Sequence, residues 1–307
     1  MMKVLVTGGA GYIGTELVSL LAQLPVVEQI IVYDNLSRAN YNLFLGNRIP
    51  NHNKIKFIKG ELLDSRGLRL ALKGVDVVYH LAARVTTPFA HSDGHLYEQI
   101  NHWGTAELVY AVEETGVKKF VYTSSAGVYG SSEQPVDENA TPHPTTFYAI
   151  SKLRGEEHVR RLSDKMDTYI FRCGNVYGYS RSMRFDAVIN RFVFEANFLR
   201  RITIHGDGSQ RRSFIHIEQL ALALANVLHS SIPGGTYNLV ERTISIMDVV
   251  DVLKQVIPDL EFILINQHIR FSHLNIQPNQ KINKALGIGS AQSFADELKI
   301  FLDKFSF

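Results

Sequence analysis

A glycine-rich stretch near the start of the chain constrains the fold more than any other feature. The segment Thr7-Gly8-Gly9-Ala10-Gly11-Tyr12-Ile13-Gly14 follows the apolar run Val4-Leu5-Val6 and precedes residues 15–21, whose apolar spacing is helical. The glycines therefore lie where a buried strand turns directly into a helix. N–H groups in the first turn of a helix have no partners within it, and missing Cβ atoms let an anion approach them. This pattern predicts a phosphate-binding turn.

The distance from this turn to the next acidic residue indicates which phosphate ligand is bound. The glycines fit either G-x-x-G-x-x-G or G-x-G-x-x-G, both ending at Gly14. A second apolar strand, Ile30–Tyr33, ends in Asp34, twenty residues after Gly14. An acidic residue at that distance is expected to hydrogen-bond the adenosine ribose of a dinucleotide and to repel a 2′-phosphate. We therefore predict NAD rather than NADP, although Arg38 would partly offset that repulsion.

Composition excludes several other classes of protein. A formal charge of +2 over 307 residues argues against a nucleic-acid surface. Cys173 is the only cysteine, so no intramolecular disulfide is expected, and we interpret it as a small buried residue on a strand. No apolar run is long enough to span a bilayer, and the first strand begins too near Met1 for a signal peptide. We expect a cytoplasmic protein without a membrane partner.

The histidines show no metal-binding pattern. His91 and His95 are four residues apart, but the aspartate and glycine between them disfavour a stable helix. No metal site is predicted.

Apolar β-type runs alternate with helical patterns through the first half of the chain. Strands that are apolar at every position are typical of a parallel sheet covered on both faces. We predict an α/β fold, a Rossmann doubly wound parallel sheet with a smaller C-terminal α/β lobe, whose ligands lie at the carboxyl ends of the strands. The predicted strands are 3–7, 29–34, 56–59, 75–81, 118–123, 168–172, 234–239 and 261–265. The predicted helices are 15–21, 68–72, 95–114, 148–165, 185–199, 245–256 and 294–305.

Polar side chains at the end of the fifth predicted strand and on the helix after it suggest proton transfer. Ser124 and Ser125 follow that strand, and Tyr148 and Lys152 are four residues apart, on one face of a helix. A tyrosine must lose about three pKa units, roughly 4 kcal/mol, to act as a base near neutrality. A cation about 4 Å away at an effective dielectric constant near 20 supplies about that much. We expect Lys152 to lower the pKa of Tyr148.

These motifs, in this order, resemble the extended short-chain dehydrogenases/reductases, and among them the NAD-dependent sugar epimerase/dehydratase family. The resemblance covers most of the chain and is specific for the family, but not for the substrate. Besides the glycine turn and the Tyr148/Lys152 pair it rests on Asp34-Asn35-Leu36-Ser37, His80-Leu81-Ala82-Ala83, the serines before Val128-Tyr129-Gly130, Asn175-Val176-Tyr177-Gly178, and residues 206–212 leading to Phe214-Ile215-His216.

The resemblance implies a role for each matching position. Tyr148 would be the acid/base that takes a proton from a sugar hydroxyl, Lys152 would hold the ribose and lower the pKa of Tyr148, and Ser125 would hydrogen-bond the reacting oxygen. NAD would contact Gly8, Gly11, Tyr12, Ile13, Gly14, Asp34, Asn35, Ser37, Leu62, Leu81, Ala82, Ala83, Asn101, Tyr148 and Lys152. The substrate would contact Thr86, Ser125, Asn175 and Arg212, with Asn175 and Arg212 on the diphosphate and Thr86 and Thr87 lining the sugar pocket. Glu61 or Leu62 would lie beside the adenine, where the family often has an aspartate.

The resemblance also implies a division of the chain and a homodimer. Residues 1–178 plus 214–240 would form the NAD-binding Rossmann domain, and residues 179–213 plus 241–307 the substrate-binding lobe. Family members commonly dimerise through the helices near 95–115 and 148–165.

Departures from the family pattern narrow the reaction. The 4,6-dehydratases of the family carry Asp-Glu directly after the serine or threonine, and decarboxylating members usually keep the glutamate. Ala126 and Gly127 occupy those positions here, and neither can move a proton. We therefore expect an NAD-dependent epimerase of a nucleotide-diphosphate sugar, acting at C4 through a transient keto intermediate. Two alternatives stay open: an NAD(P)H-dependent nucleotide-sugar ketoreductase and a non-catalytic NAD-binding regulator. Residues 182–190 differ from those of well-known UDP-galactose 4-epimerases, so the base and the sugar are not predicted.

Overall fold

The computed structural model describes residues 1–46, 48–85, 93–267, 273–289 and 292–305. Its first half contains, in order, β1 (Met2–Thr7), α1 (Tyr12–Gln23), β2 (Val27–Asp34), β3 (Ile55–Lys59), α2 (Ser65–Ala71), β4 (Val77–His80), α3 (Gly94–Tyr97), α4 (Gly104–Glu113), β5 (Lys119–Ser125), β6 (Ser132–Val136), α5 (Phe147–Arg160), β7 (Asp167–Cys173) and β8 (Asn175–Tyr177). The remainder contains α6 (Val188–Leu199), β9 (Arg201–His205), β10 (Arg211–His216), α7 (Ile217–Asn226), β11 (Gly235–Leu239), β12 (Arg242–Ser245), α8 (Ile246–Val256), β13 (Glu261–Ile265), β14 (Leu274–Ile276), α9 (Gln280–Leu286) and α10 (Phe294–Leu302).

A parallel sheet of seven strands forms the centre of the protein. The strand order is β11-β7-β5-β4-β1-β2-β3, so the chain reverses direction across the sheet between β1 and β4. In the β1–β4 pair Thr7 lies opposite His80, and in the β5–β7 pair Ser125 lies opposite Cys173. The crevice at the carboxyl ends of strands beside such a reversal is where doubly wound folds bind ligands. The predicted α/β Rossmann fold is confirmed.

Both faces of this sheet are covered, which explains the continuous apolarity of the strands. Val4 and Val6 pack into a core with α1 and α7, whereas Leu5 points to the opposite face and packs with α2 and α4. All three side chains are fully buried. Successive residues of a strand point to opposite faces, so only a sheet buried on both sides requires apolar residues at every position.

The second half adds smaller sheets around a separate apolar core. β8, β10 and β12 form a three-stranded sheet, β9 pairs with β13, and β6 pairs with β14. Residues of α6, α8 and α10, including Phe192, Val249 and Leu298, form the core of this part. β11 joins the seven-stranded sheet beside β7. The domain boundaries at residues 178, 213 and 240 stay a prediction.

Several elements differ from the sequence-based expectation. The helix expected over residues 95–114 contains a π-helical segment, Glu98–Trp103, between α3 and α4. The helix expected to reach residue 165 ends at Arg160, and the one expected from residue 185 begins at Val188. β6, β8, β9, β10, β12, β14, α7 and α9 were not predicted. Most of these strands have three to five residues, too few to show a period, and the Leu-Ala alternation of α7 hides its helical spacing.

Across the described ranges, no helix has the length and apolarity that crossing a bilayer requires.

Candidate active site

The glycine turn between β1 and α1 is shaped by close approach of the main chain. Gly8 has a φ of +71°, and a Cβ there would lie 2.6 Å from the nitrogen of Ala82. A Cβ on Gly14 would collide with the carbonyl oxygen of Gly8. Gly11 precedes the first residue of α1, and no side chain caps this helix end. The first-turn N–H groups of α1 are therefore left for an external acceptor, as a phosphate-binding turn requires.

Tyr12 and Ile13, which are predicted to contact NAD, have their main chain at the glycine turn, but their side chains contact other parts of the protein. Tyr12 donates its hydroxyl to the carbonyl of Gly178 at 2.7 Å and accepts from the amide of Asn190 at 3.1 Å. Burial raises the pKa of the Tyr12 phenol above its ordinary value. Ile13 packs against the apolar core below α1. Tyr12 therefore connects the glycine turn by hydrogen bonds to Gly178 and Asn190.

Asp34 connects the turn to the loop after β2. Its carboxylate accepts from the N–H of Ala10 at 3.0 Å and from the N–H of Leu36 at 2.8 Å. A carboxylate has about four acceptor positions, so capacity for ribose hydroxyls remains. Arg38, which was expected to offset repulsion of a 2′-phosphate, lies 3.8 Å from Asp186 instead.

Asn35 and Ser37 form the rest of this exposed loop. The amide of Asn35 donates to the carboxylate of Glu61 at 3.0 Å, and its oxygen accepts from the N–H of Ser37 at 2.9 Å. Leu62 differs from both, because its side chain is buried in the sheet core against Gly104. The main chain of Leu62, and not its side chain, is therefore left to contact an adenine.

The residues after β4 lie beside the glycine turn. Leu81 donates its N–H to the carbonyl of Thr7 at 3.1 Å, and the N–H of Ala82 lies 3.4 Å from the Thr7 hydroxyl. Ala83 follows and is partly exposed. Together with the turn, Leu81, Ala82 and Ala83 border the crevice at the β1–β4 reversal.

Asn101 holds two parts of the site together. It lies in the π-helical segment and is fully buried. Its amide group bonds both the N–H and the carbonyl of Arg84, at 2.7 and 2.9 Å, and donates to the Ser151 hydroxyl at 3.0 Å. Ser151 in turn donates to the carbonyl of Tyr148 at 2.8 Å. The Asn101 side chain, predicted to contact NAD, thus positions the loop after β4 relative to α5.

Ser125 and Tyr148 come together at the carboxyl end of β5. Ser125 ends the strand, and its hydroxyl accepts from the N–H of Gly127 at 3.1 Å. The ring of Tyr148 packs edge-on against Tyr97. Burial raises the pKa of Tyr148, and the charge of Arg184 and the polar Ser125 side chain oppose that rise.

Lys152 lies one helical turn after Tyr148, as its spacing predicted. Its side chain is 2% exposed, and Nζ lies 4.2 Å from the centre of the Tyr122 ring. Burial lowers the pKa of Lys152 to about 7. In the protein itself burial dominates and raises the pKa of Tyr148, so the expected net lowering is not found, and the contribution of Lys152 stays a prediction. The same burial leaves the lysine only partly charged near neutrality.

Asn175 and Arg212, the predicted diphosphate ligands, lie on neighbouring strands of the β8–β10 pair. The Asn175 amide donates to the carbonyl of Ser213 at 3.1 Å. Burial lowers the pKa of Arg212, and no carboxylate in the described ranges pairs with its guanidinium. Thr86 and Thr87, the predicted sugar-pocket residues, fall outside the described part of the chain.

Sequence reasoning missed Arg184, whose charge acts on both Tyr148 and Tyr12. The only signal was its place in the segment 182–190. Cys173, interpreted as a buried strand residue, is 7% exposed on β7, and burial raises its pKa to about 12. Among the described residues, no three His, Cys, Asp or Glu side chains converge as a metal site.

The comparisons with known proteins agree with this geometry. Residues 4–239 match the model of the NAD dependent epimerase/dehydratase family, and the chain belongs to that family. A dTDP-D-glucose 4,6-dehydratase of Mus musculus is 36% identical over 263 residues, which are 83% of this chain and 72% of the relative.

Two solved structures resemble the whole chain. A UDP-glucuronic acid 4-epimerase of Bacillus cereus, solved with UDP-glucuronic acid and NAD, is 26% identical, with 98% of each chain covered and a TM-score of 0.85. A UDP-N-acetylglucosamine 4-epimerase of Methanobrevibacter ruminantium M1 is 25% identical, covers 98% of this chain and 97% of that one, and has a TM-score of 0.84.

The cofactor of this NAD-dependent family is NAD, and the residues present fit it. The turn at Gly8 and Gly14 has no room for a Cβ, and α1 begins without a side-chain cap. These are the features that a pyrophosphate needs, and Asp34 has acceptor capacity left for a ribose.

Proposed function

We propose that this protein is an epimerase that interconverts the C4 epimers of a nucleotide-diphosphate sugar. The observation that carries the proposal is the group formed by Ser125, Tyr148 and Lys152 at the carboxyl end of β5, with no acidic side chain at the two positions after Ser125. This group can hold and move one proton at a sugar hydroxyl, which is all that epimerisation through a keto sugar requires of the protein's side chains.

We assign one role to each residue of this group. Ser125 would hydrogen-bond the reacting oxygen, and Tyr148 would remove and return its proton. Lys152 supplies positive charge one helical turn away. The glycine turn and Asp34 would hold NAD, which would supply a hydride acceptor for the sugar carbon and positive charge opposing the rise that burial imposes on the pKa of Tyr148.

A dehydratase is disfavoured by Ala126 and Gly127, although the Mus musculus relative is one. Elimination of water needs an additional acid and base at the sugar. Ala126 is 2% exposed in the short 3-10 helix after β5, and Gly127 has no side chain. Neither residue supplies a proton donor.

Asn175 and Arg212 support a diphosphate in the substrate. A guanidinium that no described carboxylate neutralises favours an anion, and its planar donors match phosphate oxygens. The amide of Asn175 lies on the adjacent strand.

Arg184 bears on the choice of sugar. Its charge lowers the pKa of the Tyr148 phenol, but its guanidinium also donates to the Asp186 carboxylate at 3.0 Å, so charge favours neither an anionic nor a neutral sugar. We therefore place UDP-glucuronic acid, the ligand of the Bacillus cereus structure, beside neutral sugars in the test.

The test is a panel of UDP-, dTDP-, GDP- and CDP-sugars, with UDP-glucuronic acid included, followed by NMR without added reductant. The expected result is the C4 epimer of one sugar, formed to the same equilibrium ratio from either direction. Product formed only with stoichiometric consumption of NADH or NADPH would establish the ketoreductase alternative. Tight NAD binding without conversion of any sugar would favour the regulator.

We also propose a homodimer through the outer faces of α4 and α5. Trp103 is 54% exposed just before α4, and Phe147 is 48% exposed at the start of α5, an unusual exposure for aromatic side chains. Light scattering of the wild type and of a Trp103→Glu variant tests this, because a monomeric wild type contradicts it. Cytoplasmic localisation stays a prediction.

A further inference from the structure

Glu156 is a buried carboxylate that the proposed reaction does not itself use. It is fully buried on α5, one helical turn after Lys152. One oxygen accepts from the Ser124 hydroxyl at 2.6 Å and from Arg172 Nε at 3.0 Å. The other accepts from Arg172 Nη2 at 2.8 Å and from Arg160 Nη2 at 2.6 Å. A carboxylate with four donors is a fixed point of the structure.

These bonds join the three elements that carry the proposed catalytic group. Ser124 directly precedes Ser125 at the end of β5, and Arg172 directly precedes Cys173 at the end of β7. Glu156 itself belongs to α5, the helix of Tyr148 and Lys152. A displacement of one of these elements would therefore lengthen a charge-assisted hydrogen bond to Glu156.

The charges around Lys152 give Glu156 a second effect. Lys152 interacts with His80 of β4, with the Tyr122 ring of β5, and with Cys173 of β7, and Tyr148 precedes it on its own helix. Burial lowers the pKa of His80 and raises the pKa values of Tyr122 and Cys173, so all three are neutral near pH 7.

Glu156 is the carboxylate whose charge favours the ammonium form of Lys152. Its removal would also leave Arg172 and Arg160 as unbalanced cations in the same cluster.

We propose that Glu156 is a positioning residue that fixes the ends of β5 and β7 on α5 and favours the ammonium form of Lys152. Its effect on turnover rests on the proposed function, whereas its effect on Lys152 does not.

The decisive measurement is the protonation of Lys152 in the whole protein without sugar substrate. With ¹³C-labelled lysine, the Cε chemical shift reports protonation of Nζ, and Lys152→Met identifies the signal. In Glu156→Gln the titration midpoint of Lys152 is expected to fall by at least about one pH unit, a tenfold loss of proton affinity. Glu157→Gln, which changes the exposed neighbouring carboxylate, is the matched control and leaves the midpoint unchanged.

A second variant tests the proposal if Glu156→Gln does not fold. Arg160→Ala removes the half-exposed cation on the same carboxylate, and the Lys152 midpoint is then expected to rise. An unchanged midpoint in Glu156→Gln, or in Arg160→Ala where the first variant does not fold, overturns the proposal.

Kinetics separate this inference from the proposed function. If the wild type epimerises a sugar, Glu156→Gln lowers kcat by about tenfold or more, with a smaller change in KM and a loss that is greatest at alkaline pH, where Lys152 has lost its proton. A wild type inactive on every sugar removes the proposed function, yet the titration of Lys152 still decides the charge effect.

Discussion

The glycine turn and the catalytic group lie along the same sheet edge but are built in opposite ways. At the turn the main chain is the binding surface, and Gly8 and Gly14 are glycines because neighbouring main-chain atoms occupy the space that a Cβ would need. At the end of β5 the side chains of Ser125, Tyr148 and Lys152 are the reactive groups, and their protonation is set by burial. The first region is therefore sensitive to added volume, and the second to lost polar atoms or charge.

The largest effect is expected from Tyr148→Phe. Removing the phenolic oxygen removes the proton carrier but leaves the glycine turn intact, so turnover should fall by roughly 10²–10⁴-fold while NAD affinity stays within about threefold. Tyr110→Phe, which removes a hydroxyl from a partly exposed tyrosine of α4, is the control. Near-normal turnover in Tyr148→Phe would remove this residue from the mechanism.

Gly14→Ala should reduce NAD affinity, in contrast to the loss of turnover expected for Tyr148→Phe. Its Cβ would collide with the Gly8 carbonyl, so the turn must open, and NAD affinity is expected to fall by about 100-fold. Isothermal titration with NAD measures this. Gly116→Ala is the matched control, because no heavy atom lies within 4 Å of its added Cβ. Equal NAD affinity in the two variants would show that the space at Gly14 does not matter.

Lys152→Met should stabilise the protein while it abolishes turnover. The pKa of Lys152 is lowered from 10.5 to about 7 in the folded protein, so the unfolded chain holds this proton more tightly between those values. Burying the ammonium therefore costs stability in full below pH 7, and the cost shrinks as the pH rises toward 10.5.

The variant is expected to gain on the order of 2 kcal/mol at pH 6 and less at pH 9. Denaturant unfolding at both pH values measures the difference. If the gain in stability were the same at both pH values, burial would not be lowering the pKa of Lys152.

The smallest effect is expected at Asp34, whose carboxylate accepts a hydrogen bond from the N–H of Ala10 in the glycine turn. Asp34→Ala removes the ribose acceptor and the charge that repels a 2′-phosphate, so the preference for NAD over NADP should narrow by about tenfold. Asp34→Asn keeps an acceptor without the charge and separates the two contributions. An unchanged ratio of NAD to NADP affinity in both variants would place the choice of cofactor elsewhere.

The parts of the site that could be predicted from the sequence are those fixed by residues close together along the chain. The structure confirms the positions of the glycine turn before α1, of Asp34 at the end of β2, and of Tyr148 and Lys152 one turn apart on α5. The spacing of residues along one strand or one helix decides each of them. The pKa of Tyr148 was expected to be lowered, whereas burial raises it, since distance along a helix is visible in a sequence and desolvation is not.

What the sequence by itself determined is the seven strands of the central sheet, the glycine turn after β1, and the absence of an acid pair after Ser125. The tertiary structure alone decided the protonation of Lys152, the contact of Asn101 with Arg84 and Ser151, and the bonds of Glu156 to Ser124 and Arg172. These groups come from segments up to 50 residues apart along the chain. Their energies depend on how much water the surrounding elements exclude, and that quantity exists only once the sheet and helices have packed.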